Sequence, residues 1–117
     1  MEIGLQVRRI YVVGSFGKGT IRGLHAHKYE TKAYFVLKGA AKFVIQDSDG
    51  RIATETLSSA YPEILVIPPN HPHGWTSLAE DTLLLGLSDR TLEQTNSDDQ
   101  RTDPFSVGSD VWSVKAR

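Results

Sequence analysis

The sequence predicts an antiparallel all-β sandwich or barrel, on three observations. About eight short segments rich in β-branched and aromatic residues follow one another, separated by regular turn signals. No stretch keeps apolar residues at i, i+3, i+4 and i+7 for long enough to define a helix. Asp47-Ser48-Asp49-Gly50 lies between two alternating runs, a strong hairpin signal, because glycine accepts positive φ cheaply.

The first strand is expected over residues 6–13, where Val7, Ile10, Val12 and Val13 supply β-branched side chains. Gly14-Ser15-Phe16-Gly17-Lys18-Gly19 is glycine-dense and reads as a loop or wide turn. Residues 20–27 form a second strand, and the polar Lys28-Tyr29-Glu30-Thr31 connects it to an apolar strand over 33–38 that Gly39 ends. Residues 41–46 and 51–57 pair across the Asp-Gly turn. After the loop Ser58 to Pro62, a short apolar strand over 63–67 is stopped by Pro68-Pro69. Residues 73–77 resume β structure, and 81–87 read as a final, nearly uninterrupted buried strand. From Asp89 the composition changes: residues 89–101 are polar and free of aromatics, as in a surface or partly disordered connection. Asp103-Pro104-Phe105 and Val111-Trp112 then return anchors that pack on the same barrel or on a neighbouring subunit. The chain thus divides into a barrel over 1–88 and a connection with a C-terminal tail over 89–117.

At 117 residues the chain is long enough for one domain with a core and too short for two. A formal net charge of −1 supplies no general attraction to nucleic acid or an anionic membrane, so any anion must be held by a local group of cations. No apolar run approaches the ~18–20 residues of a membrane span. Met1-Glu2-Ile3-Gly4 does not open a signal peptide. The absence of cysteine excludes disulfides, thiolate chemistry and zinc fingers, and fits a reducing, cytoplasmic setting.

All four histidines fall in two pairs of equal spacing, His25 with His27 and His71 with His73. Strand side chains alternate with period two, so His25 and His27 point the same way, into a barrel if their face is the inner one. Imidazole titrates near neutral pH, which suits a general acid–base pair. The plainer reading, hydrogen-bonded core histidines, suits one isolated residue better than two paired sets. A metal site is the alternative: His25, His27 and His73 with Glu30 would present three imidazoles and a carboxylate to zinc or iron. Along a continuous strand Glu30 faces away from His27, however, and Thr31, which has the right parity, is a poor ligand. Pro72 breaks the ladder between His71 and His73, so at most one of these points inward; His73, before Gly74-Trp75, is the candidate, and His71 is expected outside.

Arg22 and Lys28 bracket the first pair, with Arg8 and Arg9 on the preceding strand. Guanidinium forks match phosphate oxygens, so Arg22 with Arg8 or Arg9 can hold a diphosphate; the same charges also fit a solvated edge strand. Tyr11 and Tyr34 can turn hydroxyls toward the same space, and Trp75 can stack on a sugar or base, or pack in the core. No phosphate-binding glycine loop, nucleophile elbow or nucleic-acid pattern is present.

Arg22-Gly23-Leu24-His25-Ala26-His27-Lys28, followed by an apolar strand and Gly39, resembles the first motif of the cupins. More closely it resembles the nucleotide-sugar 3,4-ketoisomerases that act on dTDP-4-keto-6-deoxyglucose, over residues 7–88 with an echo at Asp103-Pro104-Phe105. The resemblance implies an antiparallel double-stranded β-helix, the RmlC-like jelly roll, in a homodimer serving deoxysugar and polysaccharide biosynthesis. It implies a dTDP-sugar substrate, no metal and no other cofactor. His25, His27 and Tyr11 become catalytic, and Arg22, Arg9, Lys28, Tyr34, His73 and Trp75 substrate-binding. A proton leaves C3, an enediol forms, and a proton returns at C4. Three departures stand beside it. The cupin-motif glutamate falls on Thr31 or Lys32. Pro68-Pro69-Asn70-His71-Pro72-His73 is closer to the second motif of zinc-binding capsule-sugar epimerase domains. The isomerases also carry a leading segment before the first strand. Two alternatives therefore stand: a zinc or iron cupin acting on a sugar or small acid, and a non-enzymatic carbohydrate-binding cupin.

Overall fold

Eight strands build two facing antiparallel sheets in a computed structural model that describes residues 4–15 and 17–113. Phe16 of the expected loop and the start Met1-Glu2-Ile3 lie outside the described residues. The strands are β1 (Arg9–Ser15), β2 (Ile21–His27), β3 (Lys32–Lys38), β4 (Ala40–Gln46), β5 (Ile52–Ser58), β6 (Ile64–Ile67), β7 (His73–Ser77) and β8 (Thr82–Ser88). One sheet runs β1-β8-β3-β6, and the other carries β5-β4-β7-β2. This interleaving, with neighbours far apart in sequence, is that of a jelly roll.

The local chemistry accounts for the turns. Asp47 Oδ1 accepts from the amides of Asp49 (2.9 Å) and Arg51 (2.8 Å), and Gly50 adopts φ +82°, closing the β4–β5 hairpin. Between β2 and β7 the backbones approach unusually closely. A Cβ on Gly23 would stand 2.6 Å from Gly74 Cα, and one on Gly74 would stand 2.4 Å from the Arg22 carbonyl oxygen, so both positions need glycine. The core between the sheets is a cluster of Tyr34, Val36, Phe43, Leu57, Ile67, Trp75 and Leu84 with Ala41.

Three expectations are corrected. The strand expected as continuously buried, β8, alternates: Thr82, Leu84, Gly86 and Ser88 are buried while Leu83 is exposed. Its apolar run serves two faces, and Ile10, Val12, Leu37 and Val66 join Leu83 as exposed apolar residues on strands of the same sheet. Residues 89–101 are not a plain surface connection. They form helix α1 (Leu92–Ser97) and a further strand, β9 (Asp99–Arg101), which extends the second sheet beside β2. Thr91 and Gln94 close a capping box on α1, and only Thr95 of the helix is buried, too little apolar surface to leave a helical period. The anchors of the tail also divide. Trp112 packs on Leu24 and Val44 and its Nε1 donates to the Pro104 carbonyl (2.8 Å), whereas Phe105 is 54% exposed. The described tail, as far as Trp112, has this contact with its own barrel. No helix among the described residues is long and apolar enough to cross a membrane.

Candidate active site

Between the sheets lies a cavity of about 490 Å³, open on one side. Period-two alternation on β2 sends His25 and His27 into it, as the spacing predicts. The two rings differ in depth: the His25 side chain is 32% exposed and that of His27 3%. From β9, directly opposite His27 in the ladder, Asp99 reaches both. Its Oδ1 stands 3.2 Å from His25 Nδ1, in hydrogen-bond geometry, and 3.2 Å from His27 Nε2. Arg101 Nε donates to the other carboxylate oxygen at 2.8 Å. Burial alone would raise the Asp99 pKa, but the hydrogen bonds from Arg101 and His25 outweigh it and hold the carboxyl below the usual range.

Behind His27 lies a second carboxylate. Glu30 is fully buried and accepts from the hydroxyls of Ser88 on β8 and Thr95 on α1. It also accepts from Arg9 Nη2 at 3.3 Å, and its Oε1 is 3.2 Å from His27 Nδ1 and 3.6 Å from Lys32 Nζ. Burial pushes this carboxyl up, yet the two hydroxyls and the Lys32 cation leave it net lowered. His27 therefore sits between two carboxylates, although neither contact has hydrogen-bond alignment. Burial is the main cause of its lowered pKa, aided by the Lys32 cation and opposed by Glu30 and Asp99. Parity placed Glu30 outside because it assumed an unbroken strand. In the structure β2 ends at His27, the chain bends, and the glutamate turns inward.

Of the other residues singled out in the sequence, Tyr11, Tyr34, Arg9, Arg22, His73 and Trp75 all line the cavity. The Tyr11 and Tyr34 hydroxyls are 3.2 Å apart. Burial raises the pKa of both, keeping them protonated phenols at neutral pH. Arg9 points inward, with Nε and Nη1 buried and unpaired. Arg22 is exposed, donates to the Gly14 carbonyl at 3.0 Å, and lies 5.9 Å from the Trp75 ring centre. Lys28, just past the end of β2, is exposed, 5.5 Å from the Tyr29 ring and outside the cavity lining. Arg8 is likewise exposed and outside it. His71, expected outside, is half-buried with Nδ1 2.7 Å from the Pro69 carbonyl, and it does not line the cavity.

The sequence reading missed Lys32, Thr95, Asp99 and Arg101, which line the same space. Lys32 shares the inward parity of Tyr34 and was legible in principle; the others depend on α1 and β9. Among the described residues no three histidine, aspartate or glutamate side chains are grouped to hold a metal ion. His73 Nε2 faces the Lys32 ammonium at 3.4 Å, so the set His25, His27 and His73 does not fit zinc or iron as arranged.

A jelly roll with an open, histidine-lined cavity between its sheets defines a cupin. Within the cupins, the chain belongs to the family described as FdtA: WxcM-like, C-terminal, whose model matches residues 1–102. No curated protein matches it. Among solved structures it is similar to the dTDP-4-dehydrorhamnose 3,5-epimerase of Bacillus anthracis, crystallised with TDP and pyrophosphate. Identity is 26% and the TM-score 0.76, over 86% of this chain and 61% of that one. It is similar to a double mutant of the QdtA 3,4-ketoisomerase of Thermoanaerobacterium thermosaccharolyticum in complex with TDP. There identity is 25% and the TM-score 0.74, over 86% of this chain and 70% of that one. The capsular polysaccharide assembling protein CapF of Staphylococcus aureus shares the fold at 17% identity and TM-score 0.76, over 85% of this chain and 29% of that one. The chain thus spans less than two thirds of the length of CapF and of the epimerase.

Proposed function

We propose that the chain is a nucleotide-sugar 3,4-ketoisomerase acting on a dTDP-4-keto-6-deoxyhexose in deoxysugar biosynthesis. The observation that carries this is the pair of imidazoles opening into one cavity with a single carboxylate bridging them. The likeness to sugar-nucleotide isomerases and epimerases solved with TDP supports it.

The Asp99 contact keeps the His25 proton on Nδ1 and leaves Nε2 as the base. A C4 ketone acidifies the C3–H bond. Nε2 takes that proton, the C–H electron pair becomes the C3–C4 double bond, and the carbonyl pair moves to O4. The O3 hydroxyl proton passes to O4 through the neighbouring phenols of Tyr11 and Tyr34. The imidazolium then returns its proton to C4 as O3 becomes the carbonyl. Atoms and charge balance without an oxidant. At the mouth, exposed Arg22 and Arg101 match a diphosphate, and Trp75 offers an aromatic face. Return of the proton to C3 from the other side would give epimerisation instead.

The exposed apolar residues of the β1-β8-β3-β6 sheet support a homodimer, which light scattering reads as twice the chain mass. Incubation with dTDP-4-keto-6-deoxyglucose in deuterated water, followed by NMR, tests the reaction. The expected result is a 3-keto product carrying solvent deuterium. Neither product nor exchange would reject the proposal.

A further inference from the structure

Lys32 opens β3 and shares its inward face with Tyr34. Its side chain is 10% exposed and lines the cavity. Burying an ammonium costs several kcal/mol unless protein groups replace its water, so its partners define its role. One is the Glu30 carboxylate at 3.6 Å. The other is His73 Nε2 at 3.4 Å. Only one state of the His73 ring fits these contacts. Its Nδ1 stands 2.8 Å from the His71 carbonyl oxygen and carries the proton that bond requires. Burial and the Lys32 cation push the ring's pKa down to about 3, so it is neutral and Nε2 is a bare acceptor. His73 thus accepts from Lys32 and is turned away from any role as donor to a ligand. An ammonium has three N–H donors. Two are directed to His73 and Glu30, and the third remains on a group bordering the cavity.

We infer that Lys32 is a catalytic residue whose third N–H donates to the sugar oxygen that gains negative charge as the enediolate forms, with His73 as the residue that positions it. The inference rests on the ketoisomerase reading. As the C3 proton leaves, the charge on O4 meets a fixed ammonium whose side chain is only 10% exposed, a preorganised donor where charge develops. No proton is transferred from Lys32; it stabilises the oxyanion while the charge moves from O4 to O3. Glu30 keeps the amine in its charged form against the burial that lowers its pKa.

Lys32→Met and Lys32→Gln test this against wild type on dTDP-4-keto-6-deoxyglucose, with TDP binding followed by calorimetry. The expected loss is about 10²- to 10³-fold in kcat, with KM and the TDP Kd held within threefold. Wild type is expected to lose activity on the alkaline side below pH 10.5, the ordinary lysine value, and the residual activity of the variants to lack that limb. Variants within fivefold of an active wild type would overturn the role of Lys32 alone. So would an equal loss of TDP affinity, or the failure of both variants to fold, since Lys32 would then serve binding or structure. A wild type that yields neither product nor deuterium exchange would bring down the ketoisomerase reading, and Lys32's role with it.

Discussion

Replacing Asp99 by asparagine removes one charge from the point where both imidazoles meet and leaves the shape almost unchanged. When His25 takes a proton, the new cation lies 3.2 Å from Asp99 Oδ1. Two unit charges about 4 Å apart attract by about 4 kcal/mol at an effective dielectric constant near 20, and this pair lies closer, so that figure is a floor. The two side chains are 32% and 21% exposed, and solvent screening takes roughly half of that. About 2 kcal/mol of transition-state stabilisation remains, or roughly 30-fold in rate. Asparagine can also present an N–H to Nδ1 and force the proton onto Nε2, removing the base, so 30-fold is the lower bound. The assay is steady-state turnover of dTDP-4-keto-6-deoxyglucose by D99N. The expected pattern is a fall in kcat of at least about 30-fold, accompanied by a rise in KM, because the same carboxylate holds Arg101 at 2.8 Å. A loss in kcat below fivefold would refute the assignment of Asp99 as the partner of the base.

Two further outcomes follow from the same cluster. His73 has its pKa lowered to about 3 from 6.5, so the unfolded chain binds the proton more readily. Its contribution to stability is complete above pH 6.5 and is lost as pH falls from 6.5 toward 3. Urea denaturation should show the midpoint falling over that range in wild type and falling less in His73→Gln; equal slopes would remove His73 as the cause. Gly86→Ala places a Cβ 2.3 Å from Tyr11 Cζ, so it should displace the Tyr11 ring, destabilise the fold by about 1–3 kcal/mol, and lower kcat. Unchanged turnover would show that the tyrosine's position is not needed.

The way the site is assembled explains which parts could be read in advance. His25, His27, Tyr11 and Tyr34 sit inside strands, where a period of two ties sequence spacing to direction, and their inward orientation follows from that alone. Lys28 lies one residue past the end of β2, where the chain bends and is exposed. Glu30 escapes it because β2 stops at His27, and a bend resets the parity in a way no spacing records. Asp99 and Arg101 lie 72 and 74 residues beyond His27 in a polar segment without apolar period. Only the pairing of β9 with β2 brings them to the histidines. The capping box at Thr91 and Gln94 was the one local sign that this segment was ordered.

The sequence by itself determined the first eight strands, the Asp47 to Gly50 turn, the shared face of the two imidazoles and the anchoring role of Trp112. Each depends on local periodicity, turn chemistry or apolar character. Only the tertiary structure decided that the tail forms a wall of the cavity, that two carboxylates flank His27, and that Lys32 and His73 face one another. Those contacts join residues distant in the chain, and ladder pairing and burial, which set them, leave no trace in the spacing of residues along it.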